Sequence, residues 1–154
     1  MTDHILQREQ RLPGPPADVF AFFADAGNLE AITPPLLRFR VVTPVPIVMG
    51  PGTLIRYRLR VHGVPLGWLT EITRWEPPHR FVDEQRTGPY ALWQHTHTFE
   101  ADGEETIMRD VVRYRIGFAP VGTLANALVV RRDVERIFDY RAERVAQLLR
   151  LSGR

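Results

Sequence analysis

GPYALWQHTHTF, Gly88 to Phe99, and the run that follows it, TIMRDVVRYRI, Thr106 to Ile116, decide how this chain folds. Both alternate with period two, the signature of half-buried β-strands. In the second run Met108, Asp110, Val112, Tyr114 and Ile116 share one face, and Arg109, Arg113 and Arg115 share the other. A row of arginines belongs in solvent, so the opposite face is interior. In the first run Trp93, His95, His97 and Phe99 lie on one face, against Gln94, Thr96, Thr98 and Glu100. Two histidines and a carboxylate therefore point inward, where an unpaired charge is costly. Such groups suit the wall of a binding cavity better than a solid core.

The turn between the runs sets their register. Asp102-Gly103 is a strong two-residue hairpin signal, because a type I′ turn needs positive φ at both central positions. A turn centred there sets His97 opposite Met108, His95 opposite Asp110 and Trp93 opposite Val112. His95 and Asp110 then face each other inside the sheet, with Cβ atoms roughly 5 Å apart. The pair has two readings: a self-satisfied polar contact that fixes register, or a group turned toward a ligand.

Composition narrows the function classes. The chain has 154 residues, no cysteine and a net charge of +2. That length fits one domain spanning residues 1–154. Without cysteine there is no disulfide framework, thiol catalysis or thiolate metal site. All 20 basic residues are arginine, which removes Schiff-base chemistry and a P-loop lysine. The arginines alternate along strands (Arg56, Arg58, Arg60) instead of clustering, which argues against nucleic acid as a partner. No run approaches the ~20 apolar residues of a membrane span, and the start lacks a signal-peptide layout. Cytoplasmic residence without membrane insertion is the expectation. Composition leaves the oligomeric state open.

Elsewhere the pattern reads as follows. His4–Leu12 is a strand closed by Pro13-Gly14-Pro15-Pro16. Ala17–Ala24 is a short helix with Val19, Phe20 and Phe23 on one side, and Leu29–Ile32 is a helical turn stopped by Pro34-Pro35. Strands follow over Leu37–Thr43, Leu54–Val61, Val64–Trp75 and Arg80–Arg86, punctuated by Gly and Pro turns. After Gly122 the period changes, and Thr123–Leu149 reads as one helix about 40 Å long. Its apolar stripe is Leu124, Leu128, Ile137, Phe138, Val145, Leu148 and Leu149. Parity also turns Tyr57, Leu59, Trp68, Thr70, Ile72, Phe81, Asp83 and Gln85 inward. Tyr57, Trp68, Asp83, Trp93, His95, His97 and Tyr114 are thus the candidate ligand-binding wall, aromatic with a few convergent polar groups. His95-x-His97 is a weak metal signal by itself, and the reading assigns neither metal nor cofactor.

The element order and three motifs resemble the helix-grip superfamily (START and Bet v 1-like domains, together SRPBCC), in its bacterial polyketide cyclase/dehydrase-like branch. PxxVFxFFxDxxNLxxITPPxLxF is present as Pro16–Phe39, GPYxxWxHxHxF as Gly88–Phe99, and IFxYR as Ile137–Arg141. The resemblance implies an α+β helix-grip fold: a seven-stranded curved antiparallel sheet around a long C-terminal helix, with two short helices after the first strand. It also implies an apolar cavity between sheet and helix. Three functions follow as expectations. The first is a module that binds a hydrophobic small molecule such as a lipid, polyketide, isoprenoid or aromatic compound. The second is a cyclase or dehydratase in which His95 and Asp110 form a general base, the carboxylate fixing the imidazole tautomer. The third is a lipid- or quinone-handling partner of a membrane complex, with the Pro44–Gly52 loop as its contact surface.

Overall fold

In the computed structural model the two decisive runs form one hairpin, Tyr90–Asp102 and Glu105–Ile116. The structure describes residues 2–117 and 123–152, with side chains of the terminal helix described over 127–151. The elements run β1 (Asp3–Pro13), α1 (Pro16–Ala24), three 3-10 turns (Ala26–Asn28, Glu30–Ile32, Pro35–Leu37), then β2 (Arg40–Val41) and β3 (Leu54–Val61). They continue with β4 (Val64–Glu76), β5 (Arg80–Thr87), β6 (Tyr90–Asp102), β7 (Glu105–Ile116) and α2 (Thr123–Ser152). The seven strands are ordered β1-β7-β6-β5-β4-β3-β2, each antiparallel to its neighbour. This is the expected sheet with the expected terminal helix.

Strand parity holds. Ile55, Tyr57 and Leu59 are buried in β3 while Arg56, Arg58 and Arg60 are exposed. In β7, Thr106, Met108, Asp110, Val112 and Tyr114 are buried. The outward arginines pair across strands: Arg109 with Glu9 (2.8 Å) and Glu100 (2.7 Å), and Arg113 and Arg115 with Asp3 (2.8 and 2.6 Å). Exposed pairs of this kind add little stability each. They do mark which face meets water.

The expected hairpin register is corrected by two residues. Asp102 pairs with Glu105, so the loop is Gly103-Glu104; His97 opposes Asp110 and His95 opposes Val112. The cause is local backbone geometry. Gly103 alone in this turn has positive φ, +61°, as a turn with glycine in its first central position requires. A shift of two preserves the pleat, so every inward residue stays inward. An alanine at position 103 meets no atom within 4 Å, so Gly103→Ala tests backbone strain alone. It is expected to lower stability by about 1 kcal/mol, measured by denaturant midpoint. An unchanged midpoint would count against the turn geometry.

Two further differences are local. Leu37–Thr43 is not a full strand. Pro34-Pro35 initiates a 3-10 turn through Leu37, and Arg38 adopts the left-handed conformation (φ 46°), leaving only Arg40–Val41 to pair with β3. In α2 the buried stripe is Val134, Phe138, Val145 and Leu149, with Ile137 and Leu148 partly buried. Leu128, expected in that stripe, is 51% exposed, because it lies off the three- and four-residue spacing that continues from Val134. Gly122 and the Leu124 side chain lie outside the described residues.

The inner face carries two kinds of packing. At one end Phe20, Phe23, Phe81 and Phe99 pack with Leu12, Ile32, Val145 and Leu149, all buried. At the other, Val134 and Phe138 of α2 pack on Leu6, Val112 and Tyr114, flanked by the half-buried Tyr90 and Trp93. The polar groups of β5, β6 and β7 lie between these ends.

Candidate functional site

The centre of the inner face is a quartet of two histidines and two aspartates. β6 presents His95 and His97 side by side. Asp83 of β5 lies opposite His95, and Asp110 of β7 lies opposite His97. Each carboxylate hydrogen-bonds the diagonal histidine: His95 Nε2–H donates to Asp110 Oδ1 (2.7 Å), and His97 Nε2–H donates to Asp83 Oδ2 (2.7 Å). The direct neighbours are farther apart. His95 Nδ1 is 3.8 Å from Asp83 Oδ2, and His97 Nδ1 is 3.4 Å from Asp110 Oδ1, where it makes no hydrogen bond. The expected His95–Asp110 contact is therefore present, reached diagonally and not face to face.

Rings fix this arrangement. The two imidazoles stack with centroids 3.6 Å apart, Phe81 stacks on His97 at 3.9 Å, and Phe138 meets His95 edge-on at 5.2 Å. Both histidines are 3% exposed. Burial and the neighbouring His97 charge lower the pKa of His95. Burial pulls His97 the same way, but the carboxylates of Asp110 and Asp83 outweigh it and hold its pKa above the ordinary imidazole value. Burial would raise both aspartates. The histidine hydrogen bonds win, keeping Asp83 low and Asp110 well below the usual carboxylate range. Of the two imidazoles, His97 therefore holds its proton more tightly than His95.

Arg141 of α2 adds positive charge near Asp83. Its guanidinium carbon sits 5.0 Å from the Phe138 ring centroid, and its buried Nε has no hydrogen-bond partner among the described residues. An inward arginine does not show in a hydrophobic stripe, which consists of apolar residues. Its spacing three after Phe138 and four before Val145, inside IFxYR, is the signal that places it on the inner stripe.

The aromatic wall comes together beside the quartet. Trp68 and Trp93 meet edge to face at 5.3 Å, and Tyr90 contacts both at 5.6 and 4.9 Å and Tyr114 at 5.9 Å. Trp68 Nε1–H donates to Thr70 Oγ1 (3.0 Å). Tyr90 was not legible from parity, because a pairing irregularity between Tyr90 and Leu92 shifts it onto the inner face. Tyr57 is buried farther along the sheet against Phe39, 4.8 Å between centroids, and burial pushes its hydroxyl pKa up.

Two pockets flank this surface. A cleft of about 300 Å³ between β1 and α2 is lined by His4, Leu6, Arg8, Tyr114, Arg131 and Glu135. A smaller one of about 40 Å³ lies under α2 against Asp110, Phe23, Met108, Phe138 and Arg141. Of the expected cavity wall only Tyr114 lines the cleft; Trp68, Trp93 and His95 line neither pocket. The histidines are taken up by their carboxylates and the tryptophans by each other. Asp83, His95 and His97 each bring one donor atom to within 4.8 Å of the others, a set that could hold a metal ion.

The family model described as polyketide cyclase / dehydrase and lipid transport matches residues 3–150. The chain belongs to this family. No curated protein matches it. Among solved structures, the Zhui aromatase/cyclase from Streptomyces sp. R1128 is similar at TM-score 0.81 and 16% identity, over 99% of this chain and 97% of that one. A Thermus thermophilus protein, TTHA0849, is similar at TM-score 0.71 and 23% identity, over 92% and 97%. A START superfamily protein from Mycobacterium smegmatis follows at TM-score 0.64 and 12% identity, over 94% and 99%. At these identities the likeness is one of fold, which is the helix-grip fold of START and Bet v 1-like proteins. Among the described residues no helix of this family member is long and apolar enough to cross a membrane.

Proposed function

We propose that this protein binds a hydrophobic small molecule against the aromatic wall of Trp68, Tyr90, Trp93 and Tyr114. One observation carries the reading. At the far end of the inner face Phe20, Phe23, Phe81 and Phe99 are sealed, whereas here Trp68, Tyr90 and Trp93 remain half-buried, Tyr90 and Trp93 beside Val134 and Phe138 of α2 and Trp68 beside Ile55 and Tyr57. Large aromatic surface left open on an interior face is what a flat or branched apolar ligand covers. Asp83, His95 and His97 form the polar floor beside it. The family description, which joins cyclases and dehydrases with lipid transport, supports the same ligand class.

The probe 1-anilinonaphthalene-8-sulfonate tests this reading by its fluorescence. Trp68→Ala and Trp93→Ala are each expected to weaken probe binding about tenfold, equivalent to ~1.4 kcal/mol. His62→Gln, on the exposed turn after β3, is expected to leave it unchanged. Equal affinity in all three variants would overturn the reading.

The 2.7 Å hydrogen bond between His95 and Asp110 favours a second reading, a cyclase or dehydratase with this pair as general base. Against it, the other ring nitrogen of His95 faces Asp83 at 3.8 Å and not the aromatic wall. A third reading, a partner of a membrane complex, draws on the Pro44–Gly52 loop, where Val48 is 91% exposed.

A further inference from the structure

We infer that Asp83, His95 and His97 form a binding site for one divalent first-row transition-metal ion, with Asp110 as the outer carboxylate that orients both imidazoles. The sequence alone shows only His-x-His, a weak signal. The fold adds a carboxylate on each side of the pair.

The donor atoms are already directed. His95 Nε2 is committed to Asp110 at 2.7 Å, which leaves Nδ1 to point toward Asp83 Oδ2 at 3.8 Å. At that distance the two atoms share no hydrogen bond. His97 turns Nε2 to the same oxygen at 2.7 Å. Ligand atoms of one ion at bond lengths of about 2.1 Å stand roughly 3.0 Å apart in octahedral and 3.4 Å apart in tetrahedral geometry. The observed 2.7 and 3.8 Å lie on either side of these values, and all three donor atoms lie within 4.8 Å of one another, so drawing the side chains in brings them onto one ion. The ion takes the place of the proton that His97 Nε2 now shares with Asp83.

The outer shell is equally suggestive. Metal-bound histidines usually give their remaining N–H to a carboxylate or carbonyl. His95 Nε2 already does so, and His97 Nδ1, buried and without a hydrogen bond among the described residues, lies 3.4 Å from the same Asp110 oxygen. The closing motion that lets Nε2 coordinate can also bring that N–H onto Asp110. Charge agrees: once the ion displaces the proton between His97 and Asp83, buried Asp110 and half-buried Asp83 carry the charge that a divalent cation cancels. Arg141, partly buried with its Nε enclosed, opposes the cation with one positive charge set against two carboxylates. Two histidines and one carboxylate leave coordination positions open, as in zinc and non-haem iron sites. A bound ion would polarise a carbonyl oxygen or acidify a water beside the aromatic wall.

This inference does not depend on the apolar-ligand reading. Probe fluorescence of chelator-treated protein tests that one, and metal titration tests this one. Chelator-treated protein titrated with Co²⁺ is expected to bind one ion per chain with a visible d–d spectrum. Asp83→Asn and His97→Gln are expected to weaken binding at least about 100-fold, and Asp110→Asn by about 10–100-fold. The double variant His62→Gln/His79→Gln, changed at exposed histidines, should retain it. X-ray absorption of the zinc-loaded wild type, which does not depend on any variant folding, should show two imidazole ligands at about 2.0–2.1 Å. No stoichiometric Co²⁺ binding, an absorption spectrum without imidazole, or binding that survives in Asp83→Asn and His97→Gln would overturn the inference.

Discussion

Asp110→Asn, measured in chelator-treated protein, is expected to lower stability by about 3 kcal/mol, the lower end of the cost of breaking a buried ion pair. The substitution keeps the side-chain volume, so the loss is electrostatic. Asp110 accepts the His95 hydrogen bond at 2.7 Å and lies 3.4 Å from His97 Nδ1, with both histidines 3% exposed. Removing its charge takes away one of the two carboxylates that raise the His97 pKa and leaves Asp83. His97 can answer by releasing its proton, which keeps the cost from rising further. At this chain length the melting temperature should fall by roughly 6–12 °C. A drop below about 1 kcal/mol would mean that the quartet is not ionised as described. Asp110→Asn also separates structure from use. If the quartet only holds the sheet, probe affinity survives the loss of stability; if it forms the floor of the ligand site, affinity falls as well.

Phe20→Ala is expected to cost more, about 3–5 kcal/mol. Phe20 is 4% exposed and meets Trp75, Phe81 and Phe99 edge to face at 5.0, 5.7 and 5.3 Å. It is the contact through which α1 closes the sealed end of the inner face. Truncation leaves a ring-sized void among side chains held by three strands, which cannot collapse to fill it. Phe20→Leu, which keeps most of the volume, should cost less than half as much. Denaturant melts of the two variants decide the point. A loss below about 1.5 kcal/mol for Phe20→Ala would show that α1 is loosely docked and that this end is not sealed. Since Phe20 lies away from Trp68 and Trp93, probe affinity per folded molecule should be unchanged.

Period-two patterning determined most of the sheet on its own. Arg56, Arg58, Arg60, Arg109, Arg113 and Arg115 must meet water, and that settles where Tyr57, Asp110 and Tyr114 point, as Glu71 does for Trp68; on the strand of Asp83 both faces carry charge, and parity alone left its direction to the fold. Such orientation is a local property of the pleat and survives a two-residue slip, which is why the inward set was legible although the expected register was not. Register depends on which residue takes positive φ in the turn, and Gly103-Glu104 and Asp102-Gly103 differ there by a single position. What only the tertiary structure decided are distances across strands and between layers. The diagonal bonds from His95 to Asp110 and from His97 to Asp83, the ring stack that commits each imidazole, and the shifted pairing that turns Tyr90 inward all arise between strands. Arg141 enters the site from α2, through helix-on-sheet packing. No local period encodes which atoms of Asp83, His95 and His97 come within 4.8 Å of one another, because that convergence exists only once β5, β6 and β7 are paired and α2 has closed over them.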